Sequence, residues 1–105
     1  MRLQANEVNA IADAARDAFM PGTTVFLFGS RVDDSKRGGD IDLLVETPET
    51  MSPAELVCRR TRFVSRICRV LDEQRIDVVI ATQDQPDSRE VVATAKREGI
   101  QVAQV

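Results

Sequence analysis

The sequence has no histidine, tryptophan or tyrosine and only two cysteines. Without histidine, a histidine base is excluded and nothing points to a zinc site. Cys58 and Cys68 fall within one predicted helix, where about 15 Å along the axis separates them, so no disulfide joins them. No apolar run approaches the roughly 20 residues that a membrane span needs. The N-terminus lacks a signal-peptide core, so we expect a cytoplasmic protein with no membrane partner.

Length and composition predict one globular domain over residues 1–105. Hydrophobic residues make up 43% of the chain and charged residues 30%, as in ordinary globular proteins. The net charge is −3, yet residues 54–75 hold six arginines against three acids, which gives that segment +3 and leaves −6 elsewhere. A generally basic surface is therefore absent, and nucleic acid is not expected as a direct main partner.

Apolar spacing and turn residues predict the order of the elements. We expect a helix over 6–20 with Asn6 as its N-cap, and a helix that starts at Ser52 and Pro53 and continues to Leu71. We also expect a helix capped by Asp87 and closed by Gly99. The predicted strands cover residues 23–28, 41–46 and 75–81, and the tail 100–105 is either a short strand or an exposed end.

The first two strands are joined by a connection too short for a parallel crossover helix, which usually takes a dozen or more residues. We therefore predict a mixed sheet and an α+β fold, equivalently a two-layer α/β sandwich, with three main strands and about four helices.

Acidic residues occupy two of these strands. Asp40 and Asp42 are two positions apart, so in a strand they point to the same face about 6.6 Å apart. If the second and third strands are neighbours, Asp77 lies opposite Asp42. Three carboxylates near 6 Å repel by about 2.8 kcal/mol per pair at an effective dielectric of about 20. Divalent cations that prefer carboxylate oxygens would offset this repulsion.

Simpler explanations exist for each acid. Asp40 and Asp42 could be the solvent-facing positions of an edge strand, because polar residues often alternate there. Asp77 could pair with Arg75 at the end of its strand. Asp33 and Asp34 are assigned no role.

The loop before Asp40 favours an anion. A short helical turn that starts at Ser30, after Gly29, would direct free N–H groups outward. Gly38 and Gly39 would let the chain turn tightly beside a ligand. Phosphate-binding donors next to metal-binding carboxylates are what transfer of a nucleotidyl or phosphoryl group from a magnesium nucleotide requires. Ser30 alone could also be only a helix cap.

Together, "FGSR", "GGDIDLLV" and the later strand acid resemble the signature of the DNA polymerase β nucleotidyltransferase superfamily, and most closely its minimal nucleotidyltransferase (MNT) branch. The resemblance runs from the first helix to Gly99 and implies the polymerase β-like fold. It implies attack of a hydroxyl on the α-phosphorus of a nucleoside triphosphate, most often ATP, with release of pyrophosphate.

The resemblance also implies a role for each site residue. Ser30 and the backbone near Gly29 would hold the β- and γ-phosphates. Asp40 and Asp42 would bind two Mg²⁺ ions, and Asp77 would complete the second site and act as general base. Arg31 would contact the triphosphate or brace the loop.

MNT proteins commonly pair with an all-helical HEPN-type protein, which resembles a toxin–antitoxin system in which AMP is transferred onto the toxin. An acceptor on another chain also suits a sequence of this length, which supplies a phosphate and metal site but little else. Three alternatives stay open: an antitoxin that acts by contact alone, an antibiotic-type transferase for a small molecule, and a homo-oligomer. The arginines at 59, 62, 66 and 69 form one helical stripe, either a solvated face that balances nearby acids or a contact with a partner.

Overall fold

The computed structural model describes residues 5–29, 41–71 and 75–105. Within them the chain forms α1 (Ala5–Ala18), β1 (Thr24–Phe28), β2 (Ile41–Thr47), α2 (Pro53–Val70), β3 (Ile76–Thr82), α3 (Glu90–Glu98) and β4 (Ile100–Gln104). The predicted α+β class is confirmed. The described residues contain three helices rather than about four, and the tail, left open from the sequence, forms a fourth strand.

The four strands form one mixed sheet in the order β3-β2-β1-β4. β1 runs antiparallel to both β2 and β4, whereas β2 and β3 are parallel. This agrees with the short connection between the first two strands, and α2 provides the long crossover that parallel strands need. The mixed sheet is confirmed.

The two faces of the sheet pack against different helices. One face carries Ile41, Leu43 and Val45, which are fully buried in the main core with apolar residues of α1 and α2. The other face carries Leu44 and buries it in a smaller cluster with residues of α3. β2 therefore reads as an almost continuous apolar run because a helix covers each of its faces.

The start of α2 follows its predicted capping pattern. Ser52 is the N-cap, Pro53 is the first helical residue, and Ser52 Oγ accepts a hydrogen bond of 3.2 Å from the Glu55 N–H. At the inner face, Phe63 is fully buried and meets Phe19 edge to face, with ring centroids 5.2 Å apart. α2 is thus anchored by its cap and by its apolar side.

Two predicted caps are wrong. α1 already begins at Ala5, so Asn6 lies inside its first turn rather than at the cap. α3 begins at Glu90 with Arg89 as N-cap, and Arg89 makes no side-chain capping bond. Asp87 instead accepts hydrogen bonds from both the backbone N–H and the guanidinium of Arg89. The Asp87 carboxylate that was predicted to cap the helix is therefore hydrogen-bonded to Arg89 instead.

Arg89 also fastens the start of α3 to the sheet. Its Nη2 donates a 2.7 Å hydrogen bond to the carbonyl of Ile80 in β3. The side-chain hydrogen bond from Arg89, with its backbone bond, lowers the pKa of Asp87 to about 2.

None of the helices in the described ranges combines the length and the apolar character that a membrane-spanning helix needs.

Candidate functional site

Asp42 and Asp77 are paired positions of the parallel strands β2 and β3. Each is the second residue of its strand. Neighbouring strands lie about 4.8 Å apart, and register partners in a parallel pair project to the same face, so the two side chains emerge side by side. The expectation that Asp77 lies opposite Asp42 is confirmed.

These two acids lie at the end of the sheet that α3 does not cover. Along β2, Leu44 is fully buried under α3, whereas Asp42, two positions earlier on the same face, is half-buried. Along β3, Ala81 is buried in the α3 cluster and Asp77 is exposed. The face therefore changes from apolar and covered to acidic and open, which leaves the carboxylates accessible to a ligand.

Within the described residues, no ion pair joins Asp77 to Arg75. The structure thus gives no support to the simpler explanation that Asp77 is a strand-end acid neutralised by its neighbour. Nor is β2 an edge strand, since β1 and β3 flank it, so Asp42 is not an outward position on a sheet edge.

Gly29 belongs to the same site for a reason that the sequence pattern did not reveal. It follows β1 with φ of +80°, in the left-handed region that side chains other than glycine rarely adopt. A Cβ at this position would overlap Asp42 Oδ2 and lie 3.1 Å from Asp42 Cγ. The absence of a side chain at Gly29 therefore makes room for the Asp42 carboxylate. The only sequence signal for this contact is a glycine directly after a strand that pairs with an acidic one.

Three of the predicted site residues, Ser30, Arg31 and Asp40, lie outside the described residues. The structure thus brings Gly29, Asp42 and Asp77 together. Within the described ranges no three acidic or cysteine side chains form a metal-binding group, and Asp40 would be the third acid of the predicted set. Two carboxylates on one open face are hard oxygen ligands, so the donor chemistry fits Mg²⁺.

Two arginines of the predicted stripe, Arg59 and Arg62, form ion pairs with nearby acids. Arg59 pairs with Glu55 at 3.0 Å and donates a 3.0 Å hydrogen bond to the carbonyl of Ala18, so it ties α2 to α1. Arg62 binds Asp17 of α1. These two arginines fit the prediction of a face that balances nearby acids.

Residues 8–100 match the family profile of the nucleotidyltransferase domain. The chain therefore belongs to the nucleotidyltransferase domain family. No curated protein matches the chain.

Solved structures of toxin–antitoxin complexes share the fold. One contains the tri-AMPylated HEPN toxin of Shewanella oneidensis with an MNT antitoxin, at 22% identity and a TM-score of 0.60, over 98% of this chain and 74% of that one. Another is a toxin–antitoxin structure with AMP-PNP, at 22% identity and a TM-score of 0.61, over 93% of this chain and 73% of that one. A third, of the MntA–HepT toxin–antitoxin, has 21% identity and a TM-score of 0.59, over 97% and 74% of the two chains.

Proposed function

We propose that this chain is a Mg²⁺-dependent nucleotidyltransferase that transfers AMP from ATP to a hydroxyl group of a HEPN-type partner protein, and that it thereby acts as an antitoxin. The observation that carries the proposal is the pairing of Asp42 with Asp77 on the open end of the sheet, in a chain of the nucleotidyltransferase domain family. The two acids do not stabilise the fold, because like charges at paired positions destabilise a sheet, so their presence there indicates a functional site.

Each residue has a distinct part in the proposed site. Asp42, with Asp40, would hold Mg²⁺, and Gly29 leaves the space in which the Asp42 carboxylate lies. Backbone N–H groups near Gly29, with Ser30 and Arg31, would bind the β- and γ-phosphates. When bound, Mg²⁺ would supply neutralisation of the triphosphate charge and polarisation of its oxygens.

Asp77 would complete the second Mg²⁺ site and act at the acceptor. Its exposed carboxylate would accept the proton of the incoming hydroxyl, whose oxygen forms a bond to the α-phosphorus of ATP. The bond from the α-phosphorus to the bridging oxygen breaks at the same centre, and pyrophosphate leaves with that oxygen. The products are the AMP ester of the acceptor and pyrophosphate.

The partner and the nucleotide are proposed from the structural relatives. One similar structure contains a tri-AMPylated HEPN toxin with an MNT antitoxin, and another contains AMP-PNP. These support AMP as the transferred group and a HEPN-type protein as the acceptor for this chain.

The test is transfer of label from α-labelled ATP to a purified HEPN-type protein in the presence of Mg²⁺. We expect label on the partner with the wild-type chain and at least a hundredfold less with Asp42→Asn, about the loss when a group that stabilises the transition state is removed. Glu46→Gln is the matched control, because Glu46 lies on the same strand and face but pairs with Lys96 at 3.6 Å.

A contact-only antitoxin would give a different result. Wild-type and Asp42→Asn chains would then protect cells from the partner equally well, and the partner would carry no label. That outcome would replace the proposed transferase with a binding protein.

A further inference from the structure

A groove between α1 and α2 concentrates cationic side chains on the helical layer opposite α3. Its volume is about 370 Å³. The residues that line it are Asp17, Arg62, Ser65, Arg66 and Arg69. Among the described residues that line it, three guanidinium groups and one carboxylate give a formal charge of +2, in a chain whose net charge is −3. We call it the arginine groove.

Only one of the three arginines is fully engaged by Asp17. Arg62 Nε and Nη2 donate to the two oxygens of Asp17 at 3.0 and 3.4 Å, a forked arrangement that uses both acceptor atoms. Arg66 Nη1 lies 3.8 Å from Asp17 Oδ2, beyond hydrogen-bond distance. Asp17 therefore forms a hydrogen-bonded pair with Arg62 and only a longer ion pair with Arg66, which donates no hydrogen bond to it.

Arg66 and Arg69 donate no hydrogen bond to any residue in the described ranges. Each guanidinium has five N–H donors, and the Arg66 side chain is 46% exposed. The two residues are three positions apart on α2, so their β-carbons lie about 5–6 Å apart on one face. Carboxylates three or four positions apart on another helix have the same separation.

Exposed apolar side chains occur on the same helix. Val57 and Val70 are 62% and 60% exposed, more than any other large hydrophobic residue in the described ranges. Val70 lies four positions after Arg66 and is therefore its neighbour on the surface of α2. An arginine pair with an exposed apolar neighbour has the composition of a protein interface, in which arginine is enriched and apolar contacts surround it.

We propose that the arginine groove docks an acidic helix of the partner protein, which would place two carboxylates against Arg66 and Arg69. The identity of the partner rests on the proposed function. The groove lies on the opposite side of the sheet from Asp42 and Asp77, so it would hold the partner without occupying the site of transfer. Nucleic acid suits the groove less well, because three arginines can neutralise few phosphates and that neutralisation supplies essentially all of non-specific affinity.

The test is calorimetric titration of the chain with a purified HEPN-type protein, without ATP, at about 50 mM and about 300 mM salt. We expect Arg69→Glu to weaken binding about tenfold or more at the lower salt, and the difference to shrink at the higher salt. Arg97→Glu is the matched control on α3, because Arg97 is 70% exposed and should change affinity less than twofold.

A third variant reverses the sign of the effect. Asp17→Asn raises the charge of the groove from +2 to +3 and frees Arg62, so binding should become tighter. Circular dichroism melts would confirm that each variant is folded. Loss of binding in Arg69→Glu with a gain in Asp17→Asn can come from charge in the groove but not from unfolding.

Other outcomes would overturn the docking proposal. The first is that the wild-type chain does not bind the HEPN-type protein, and the second is that Arg69→Glu and Arg97→Glu weaken binding equally. The third is that Arg69→Glu weakens binding of a labelled RNA of about 12 nucleotides but not binding of the protein. The proposed transferase activity is tested separately from the docking site. If label is transferred but binding does not depend on Arg69, only the docking proposal is overturned. If binding depends on Arg69 but no label is transferred, only the proposed transferase activity is overturned.

Discussion

Gly29 and Asp42 lie so close that a Cβ on Gly29 would overlap the Asp42 carboxylate. Gly29 follows β1, and Asp42 is the second residue of β2, in register with Phe28 of the neighbouring antiparallel strand. The glycine at the end of the first strand and the acid at the start of the second therefore form one structural unit. A side chain at position 29 therefore cannot be accommodated without moving the Asp42 carboxylate.

Gly29→Ala should accordingly damage the site beyond its effect on stability. The left-handed backbone at +80° would cost alanine about 1–2 kcal/mol, and the new methyl group would displace Asp42. Gly22→Ala is the matched control, because Gly22 has φ of +94° but its Cβ would meet only Pro48. Chemical denaturation should show similar losses of stability for the two variants, whereas nucleotidyl transfer should fall only in Gly29→Ala. Equal transfer by both would contradict the assigned role of Gly29.

The pairing of Asp42 with Asp77 predicts a dependence of stability on Mg²⁺. In the absence of the ion, Asp77→Asn should unfold at a slightly higher temperature than the wild type, because repulsion between paired like charges is relieved. The gain should stay below about 1 kcal/mol, since solvent screens the exposed Asp77.

Added Mg²⁺ should then raise the melting temperature of the wild type more than that of Asp77→Asn, because a ligand that binds only the folded state stabilises it. Differential scanning fluorimetry over a series of Mg²⁺ concentrations would measure both effects. Ca²⁺ at the same ionic strength would serve as a second hard cation, and a monovalent salt as the control. An identical response of the two proteins to Mg²⁺ would show that Asp77 does not contribute to ion binding.

The sequence identified Asp42 and Asp77 as site residues because these acids interrupt otherwise apolar strands. It placed them opposite each other only on the condition that the second and third strands are neighbours, and β3 does lie beside β2. The contact of Gly29 with Asp42 was not predicted, because it depends on the φ angle at a strand end, which periodicity does not encode. Likewise, Asp87 was predicted as a helix cap, but its neighbour Arg89 offers it stronger, charge-assisted hydrogen bonds.

The tail shows a different limit. The segment 100–105 alternates only weakly, and its strand depends on the edge that β1 presents. Backbone hydrogen bonds from Gly22 N–H to the Val105 carbonyl and from Val105 N–H to the Thr23 carbonyl, at 2.9 and 2.8 Å, fix its end. Such long-range pairing is a property of the folded sheet and leaves little trace in local sequence.

Ser52→Ala should destabilise α2 without disturbing its packing. The variant loses the 3.2 Å bond from the Glu55 N–H to Ser52 Oγ, and loss of such a cap costs about 1 kcal/mol. Ser65→Ala is the control, an exposed serine within the same helix that makes no capping bond. Urea denaturation should show a lower midpoint for Ser52→Ala with an unchanged slope. A loss as large in Ser65→Ala would mean that the cap is not the source.

The Asp87–Arg89 pair predicts a pH-dependent contribution to stability. The pKa of Asp87 is about 2 in the folded chain, below its ordinary value of 3.8, chiefly because the Arg89 side chain donates to the charged carboxylate. The folded state therefore favours the ionised form. Its stabilising effect is complete above pH 3.8 and disappears as the pH falls towards 2.

Asp87→Asn, compared with the wild type by thermal melts from pH 7 to pH 2, tests this contribution. The wild type should melt at a higher temperature than the variant at neutral pH. The two curves should converge as the pH falls from 3.8 towards 2, because Asp87 is protonated first in the unfolded state and then in the folded state. Glu49→Gln, which removes an exposed carboxylate elsewhere on the chain, should leave the melting temperature nearly unchanged across the same range. A difference between wild type and Asp87→Asn that persists undiminished at pH 2 would assign the effect to packing rather than to the charge of Asp87.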